Sequence, residues 1–228
     1  MIGSMQLPLS MRLPDNASFE NFVPGPNRAA VAAVSEPRGD VLLIGGPGSG
    51  KSHLLQAALR QWQARDRDVA YAPLDDVDGA LLAAYVDADL LAVDELERLR
   101  PEHSLVLLRV LDTRRAAARI TVIAARDRPA NLDAIPPDLK TRLTQAEVYP
   151  LAPLDDAARQ QLLIQRAQGR GLSLPPEVAH WLLTQLPRDS GSLIQVLDEL
   201  DLASLQAQRR LTIPFVRQAL RDVRPHST

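Results

Sequence analysis

Residues 45–53 read GGPGSGKSH, and no other stretch limits the fold of this 228-residue chain as tightly. The segment fits the pattern G-x-x-x-x-G-K-[ST] with Gly45, Gly50, Lys51 and Ser52. It follows the apolar run VLLI at 41–44 and precedes HLLQAALRQW at 53–62, which has a helical pattern. Strand, glycine loop and helix in that order let backbone N–H groups turn inward around phosphates, while the helix N-terminus adds positive potential. Gly46, Pro47, Gly48 and Ser49 fill the variable positions of the pattern, and His53 follows it. Lys51 is placed to neutralise the β and γ phosphates, and the Ser52 hydroxyl to hold Mg2+. The plainer alternative is an ordinary glycine turn, against which the full motif in this context argues.

The rest of the first 150 residues supports a sheet around that loop. Short apolar runs recur as VLLIGG at 41–46, VAYAPL at 69–74, LLAVDE at 90–95, ITVIAA at 120–125 and a weaker EVYPL at 147–151, with helical stretches between them. Continuous rather than alternating apolar runs are what strands buried on both faces need. Helices between them imply right-handed crossovers and a parallel sheet. The expected fold class is therefore α/β, with five parallel strands over residues 19–152.

After Pro153 the strand signals stop and amphipathic helices follow, so 153–228 is expected to form a small all-α unit. Asp155 or Asp156 can cap a helix running to Gly169, and Pro175 and Pro176 open a second that ends by Pro187. A third follows Ser190 or Ser192, and Thr212 with Pro214 starts a last one. Residues 1–18, with prolines at 8 and 14, form an extended arm.

Composition removes several chemistries. The chain has no cysteine, hence no disulfide or thiolate nucleophile, and its four histidines make no H-x-x-x-H pair. A net charge of −2 gives no general attraction to nucleic acid. No apolar run reaches signal-peptide or membrane-span length, so a cytoplasmic location is expected.

Two carboxylates end the run LLAVDEL at 90–96. In an open α/β sheet ligands bind at the carboxyl ends of the strands, so Asp94 and Glu95 are expected beside the phosphate loop. There Asp94 can bind Mg2+ and Glu95 can orient an attacking water. An acidic helix cap is the simpler reading of the same pair. Asp127 follows the fourth run at the same sheet edge, where it either meets the γ phosphate or forms a turn. Arg142 ends a short helix in PPDLKTRL. It either pairs with a carboxylate of its own chain or faces outward to a neighbour's nucleotide.

The order of these pieces resembles the AAA+ ATPases. FENFVPGPNRAA, GGPGSGKSHLLQA, DRPANLDAIPPDLKTRL and LTIPFVRQAL look like the replication initiator DnaA and, more closely, the shorter Hda group of DnaA regulatory inactivators. The resemblance covers nearly the whole chain. It implies that Phe22 and Val23 wall the adenine and that 45–53 hold ADP or ATP with Mg2+. It further implies a Walker B role for Asp94 and Glu95, a sensor 1 position near Asp127, and an arginine finger at Arg142 acting in trans on ATP held by DnaA. The family's sensor 2 arginine is replaced by Gly191, with Arg188 three residues away, which puts the chain's own hydrolysis in doubt. No helix-turn-helix segment follows the lid, so direct sequence-specific DNA binding is not expected.

The arm carries MQLPLSM at 5–11. Read alone it is a tail, or a segment tucked onto the domain. The resemblance makes Gln6, Leu7, Leu9 and Met11 a motif for the sliding clamp, the β subunit of DNA polymerase III; a proline-stiffened segment loses little entropy on docking. The expected function is a regulator that promotes hydrolysis of DnaA-bound ATP. A stand-alone ATPase that loads or remodels another replication protein is the alternative, and self-association is left open.

Overall fold

The computed structural model describes residues 17–186, 190–207 and 209–223. Its five strands are β1 (Val41–Ile44), β2 (Val69–Pro73), β3 (Leu90–Asp94), β4 (Ile120–Ala125) and β5 (Glu147–Pro150). They form one parallel sheet in the order β2-β3-β4-β1-β5. Each expected apolar run supplies one strand. β1, β3 and β4 lie inside the sheet and are almost wholly buried. β5 pairs only with β1, and its mostly exposed face explains why its sequence signal is weak. Glu147 and Pro150 on that edge discourage pairing with another strand.

Alternate residues of each strand enter different cores. Val41, Leu43, Leu90, Ala92, Val122 and Ala124 pack with α1 (Arg28–Ser35) and α2 (Lys51–Gln63). Leu42, Ile44, Leu91, Val93, Ile123 and Ala125 pack on the other face with α3 (Gly79–Ala84), α4 (Ser104–Ala116) and α5 (Pro137–Leu143). The sheet is therefore sandwiched between two helical layers, as its doubly apolar strands require. Its central strands end together at one edge, and β1, β3 and β4 each carry a candidate functional residue just beyond that end.

The helices α6 (Asp156–Gln168), α7 (Pro176–Gln185), α8 (Ser190–Ala207) and α9 (Ile213–Val223) build a separate apolar cluster around Leu163, Val178, Leu182, Leu193, Leu197 and Val216. Asp155 caps α6 by accepting from the Ala158 N–H at 2.7 Å, and Pro176 occupies the first position of α7. Several links tie this lid to the sheet unit, among them two made by the segment that leads into α1. Val23, just before α1, packs with Leu154, Ala158 and Leu162. Asn27, buried to 4%, donates to the Ala152 carbonyl at 3.0 Å and accepts from the Ala152 N–H at 2.8 Å. Its amide thus pairs like a strand backbone and clips the incoming segment to the chain leaving β5. Among the described residues no helix is long and apolar enough to cross a membrane.

Candidate functional site

The loop between β1 and α2 is built on two left-handed glycines, Gly48 at φ 71° and Gly50 at φ 94°. At Gly50 a side chain is excluded twice, by its φ and because a Cβ would lie 2.7 Å from the Phe22 ring. The first helical bond of α2 runs from the Leu54 N–H to the Gly50 carbonyl at 3.0 Å. As at any helix start, the N–H groups before it have no intrahelical acceptor and are left to the loop mouth. Lys51 folds over the loop, its Nζ donating to the carbonyls of Gly45 at 2.5 Å and Gly46 at 3.0 Å. Partial burial pulls its pKa down, and the charges of Glu97, Asp94 and Glu95 pull it back up. The exposed Ser52 hydroxyl sits at the mouth.

Asp94 ends β3 at 2% exposure. One of its oxygens accepts from the Glu95 N–H at 2.9 Å, the other from the Tyr71 hydroxyl at 2.8 Å. Glu95 adopts φ 56° and ψ 50°, a left-handed conformation unusual for a branchless acidic residue and one that turns its side chain out of the strand line. Burial and the nearby Asp75 raise its pKa, and Arg98, 3.5 Å away, lowers it. Replacing Glu95 with glycine is expected to release about 0.5–1 kcal/mol of backbone strain and to raise the urea midpoint. An unchanged or lowered midpoint would show that the backbone there is not strained.

Phe22 and His53 meet at 5.3 Å between ring centroids beside the loop. Val23, one residue on, points instead into the contact with α6. His53 joins three segments. Its Nδ1 lies 3.0 Å from an Arg166 Nη of α6, and its Nε2 lies 2.9 Å from the Ser18 carbonyl. Arginine only donates, so Nδ1 accepts and the ring carries its proton on Nε2. Burial, then Arg166 and Arg60, push the pKa of His53 down against the opposing Ser18 contact, which favours that neutral form.

Two expected residues are engaged elsewhere. The Asp127 carboxylate accepts from the Arg128 N–H at 2.6 Å and from the Asn131 amide at 3.1 Å, so here it forms its own turn. Arg142 forms an ion pair with Asp112 of α4 and donates to Gln145 at 2.9 Å, which is the own-chain partnership the sequence left open. Gly191 falls in the first turn of α8. Gln6, Leu7, Leu9, Met11 and Arg188 lie outside the described residues. Tyr71 and Arg166 carried no motif signal; only a tyrosine within an otherwise aliphatic strand hinted at the first.

The loop, the carboxylate pair and the lid thus converge at one sheet edge, and this arrangement has close structural parallels. Residues 156–220 match the family described as Hda, lid domain. The fold is similar to domain III of the replication initiation protein DnaA from Thermotoga maritima, with a TM-score of 0.80 and 21% identity over 92% of this chain and 97% of that one. It is similar to AMPPCP-bound DnaA from Aquifex aeolicus, with a TM-score of 0.76 and 22% identity over 94% and 71%. The Holliday junction branch migration motor RuvB of Thermotoga maritima follows at a TM-score of 0.72 and 16% identity over 91% and 72%. Residues 156–220 are thus similar to an Hda lid domain, and the chain as a whole has the fold of DnaA domain III, a five-stranded parallel sheet followed by a helical lid.

Proposed function

We propose that the chain is a regulatory nucleotide-binding protein that, with the DNA-loaded sliding clamp, promotes hydrolysis of ATP held by DnaA and so restrains replication initiation. The observation that carries this reading is the Hda-type lid over 156–220 joined to a DnaA-like fold. In it, residues 45–53 cradle the phosphates of ADP or ATP, Lys51 supplies the facing cation, and Phe22 borders the base. The nucleotide analogue held by the Aquifex DnaA supports the ligand class. The Ser52 hydroxyl and the Asp94 carboxylate are hard oxygen donors, the chemistry Mg2+ takes. Mg2+ would there offset phosphate charge. Glu95 faces the γ-phosphate end, and Gln6, Leu7, Leu9 and Met11 engage the clamp.

Arg142 acts in trans in this scheme. In the free chain Asp112 and Gln145 hold its guanidinium. Reaching a neighbour's nucleotide exchanges one anion, the Asp112 carboxylate, for another, a phosphate, and both match the planar fork.

The test is the rate of ATP hydrolysis by DnaA in the presence of this protein and the DNA-loaded clamp. Arg142→Ala is expected to abolish most of the stimulation, since an arginine finger contributes about a thousandfold or more in phosphoryl transfer. A form beginning after Arg12 should keep nucleotide binding and lose clamp affinity. Stimulation by Arg142→Ala equal to the parent's removes the finger assignment. The buried Asp94 beside the strained Glu95 favours a second reading, a stand-alone ATPase, which strong turnover by the protein alone would support.

A further inference from the structure

Tyr71 is in the site for a structural reason that no motif records. It pairs with Ala92 across the β2–β3 ladder, and Pro73 pairs with Asp94. Residues 71 and 73 of one strand, and 92 and 94 of the other, therefore share a face, and Tyr71 lies diagonal to Asp94. A diagonal neighbour in a sheet is within reach of a long aromatic side chain. The phenol closes that distance and donates to Asp94 at 2.8 Å.

The face in question is the one covered by α2, where Leu90 and Ala92 pack. On α2, Ser52 and Gln56 are one turn apart and so lie above one another on the same side. The Gln56 side chain interacts with the phenol of Tyr71. A chain of contacts thus runs from α2 through β2 to the end of β3: Gln56, Tyr71, Asp94. The second Asp94 oxygen is occupied by the Glu95 N–H. With one donor on each oxygen, a carboxylate buried to 2% has a single orientation, and one lone pair on each oxygen remains for anything bound.

We infer that Tyr71, supported by Gln56, is a positioning residue that orients the Asp94 carboxylate toward a divalent cation accompanying the nucleotide phosphates. The inference rests on the proposed reading that Asp94 and Ser52 hold such a cation. Without the phenol, Asp94 can still carry charge but turns freely, and the part of nucleotide affinity that depends on the cation weakens while the rest does not.

The experiment measures ADP affinity by titration calorimetry with Mg2+ and with EDTA, for the parent and for Tyr71→Phe, Gln56→Met and Asp94→Asn. The parent is expected to bind more tightly with Mg2+, and Asp94→Asn to lose that enhancement. Tyr71→Phe should lower affinity about 5- to 10-fold with Mg2+ and less than 2-fold in EDTA, which is about the net worth of one ordinary hydrogen bond. It should also raise the Mg2+ concentration needed for half of the enhancement. Gln56→Met should shift both readouts in the same direction by a smaller factor. A merely structural role would weaken binding equally in both buffers and overturns the inference. So does an Mg2+ enhancement kept within 2-fold in Tyr71→Phe while Asp94→Asn loses it. If the parent shows no enhancement, or Asp94→Asn keeps it, the cation reading itself falls, and the role of Tyr71 with it.

Discussion

Arg114→Met is expected to cost about 4 kcal/mol of stability, close to the upper end for single substitutions. Arg114 is 0% exposed, yet among the described residues no carboxylate forms an ion pair with it. Its Nε donates to the Thr121 hydroxyl at 3.1 Å, and its two terminal nitrogens donate to the carbonyls of Tyr85, Val86, Ala88 and Ile120 at 2.5–3.2 Å. The guanidinium thus bolts the last turn of α4 to the starts of β3 and β4 and to the short turn before β3. Burial pushes its pKa down to about 10, so the cation is costly to hold but still charged at neutral pH. Methionine matches much of the volume and strands the acceptors, and each buried acceptor left unsatisfied costs about 1–3 kcal/mol. Arg114→Lys should recover only part of the loss, because one ammonium cannot span the same acceptors. Urea unfolding checks both variants. A Met variant within about 1 kcal/mol of the parent would mean that the acceptors find water instead.

Lys51→Ala is expected to weaken ADP and ATP binding about 100-fold or more while leaving the fold intact. Among the described residues the Lys51 ammonium has no carboxylate in direct contact, and it rests on the carbonyls of Gly45 and Gly46. Gly46 is exposed, so water can take over its carbonyl, and the Gly45 carbonyl, in a buried residue, is left short, a cost of about 1–3 kcal/mol that a folded domain of this size tolerates. Phosphates offer the ammonium anionic partners instead. At about 1.5–3 kcal/mol per charge-assisted contact, losing two amounts to about two decades of affinity. The change should appear in calorimetric titration with unchanged circular dichroism. A loss of less than about 5-fold would place the phosphates away from Lys51 and remove the nucleotide reading of the loop.

The strands, the glycine loop and the lid helices were legible because each is written in a local pattern. VLLI, LLAV and TVIA are buried on both faces, and the Asp155 cap and Pro176 start lie within a turn of the helices they begin. Arg114 shows where local reading stops. In sequence it is one of two arginines in the last turn of α4, the usual place for a solvated cation near a helix C-terminus. Arg115 fits that place better, partly exposed and paired with Asp40 at 2.6 Å, whereas Arg114 is turned inward by the helix's own rotation. Asp127 likewise had two local readings, and the loop around it selected the turn.

The sequence by itself thus determined the parallel sheet, the phosphate-loop geometry and the helical character of the lid, because period, glycine spacing and caps act over a few residues. Only the tertiary structure decided which side chains meet. Strand register brings Tyr71 to Asp94 across 23 residues, lid docking brings Arg166 to His53 across 113, and the stacking of α4 on α5 gives Arg142 its partner Asp112. Those contacts depend on how distant segments are superposed in space, and no local periodicity encodes that superposition.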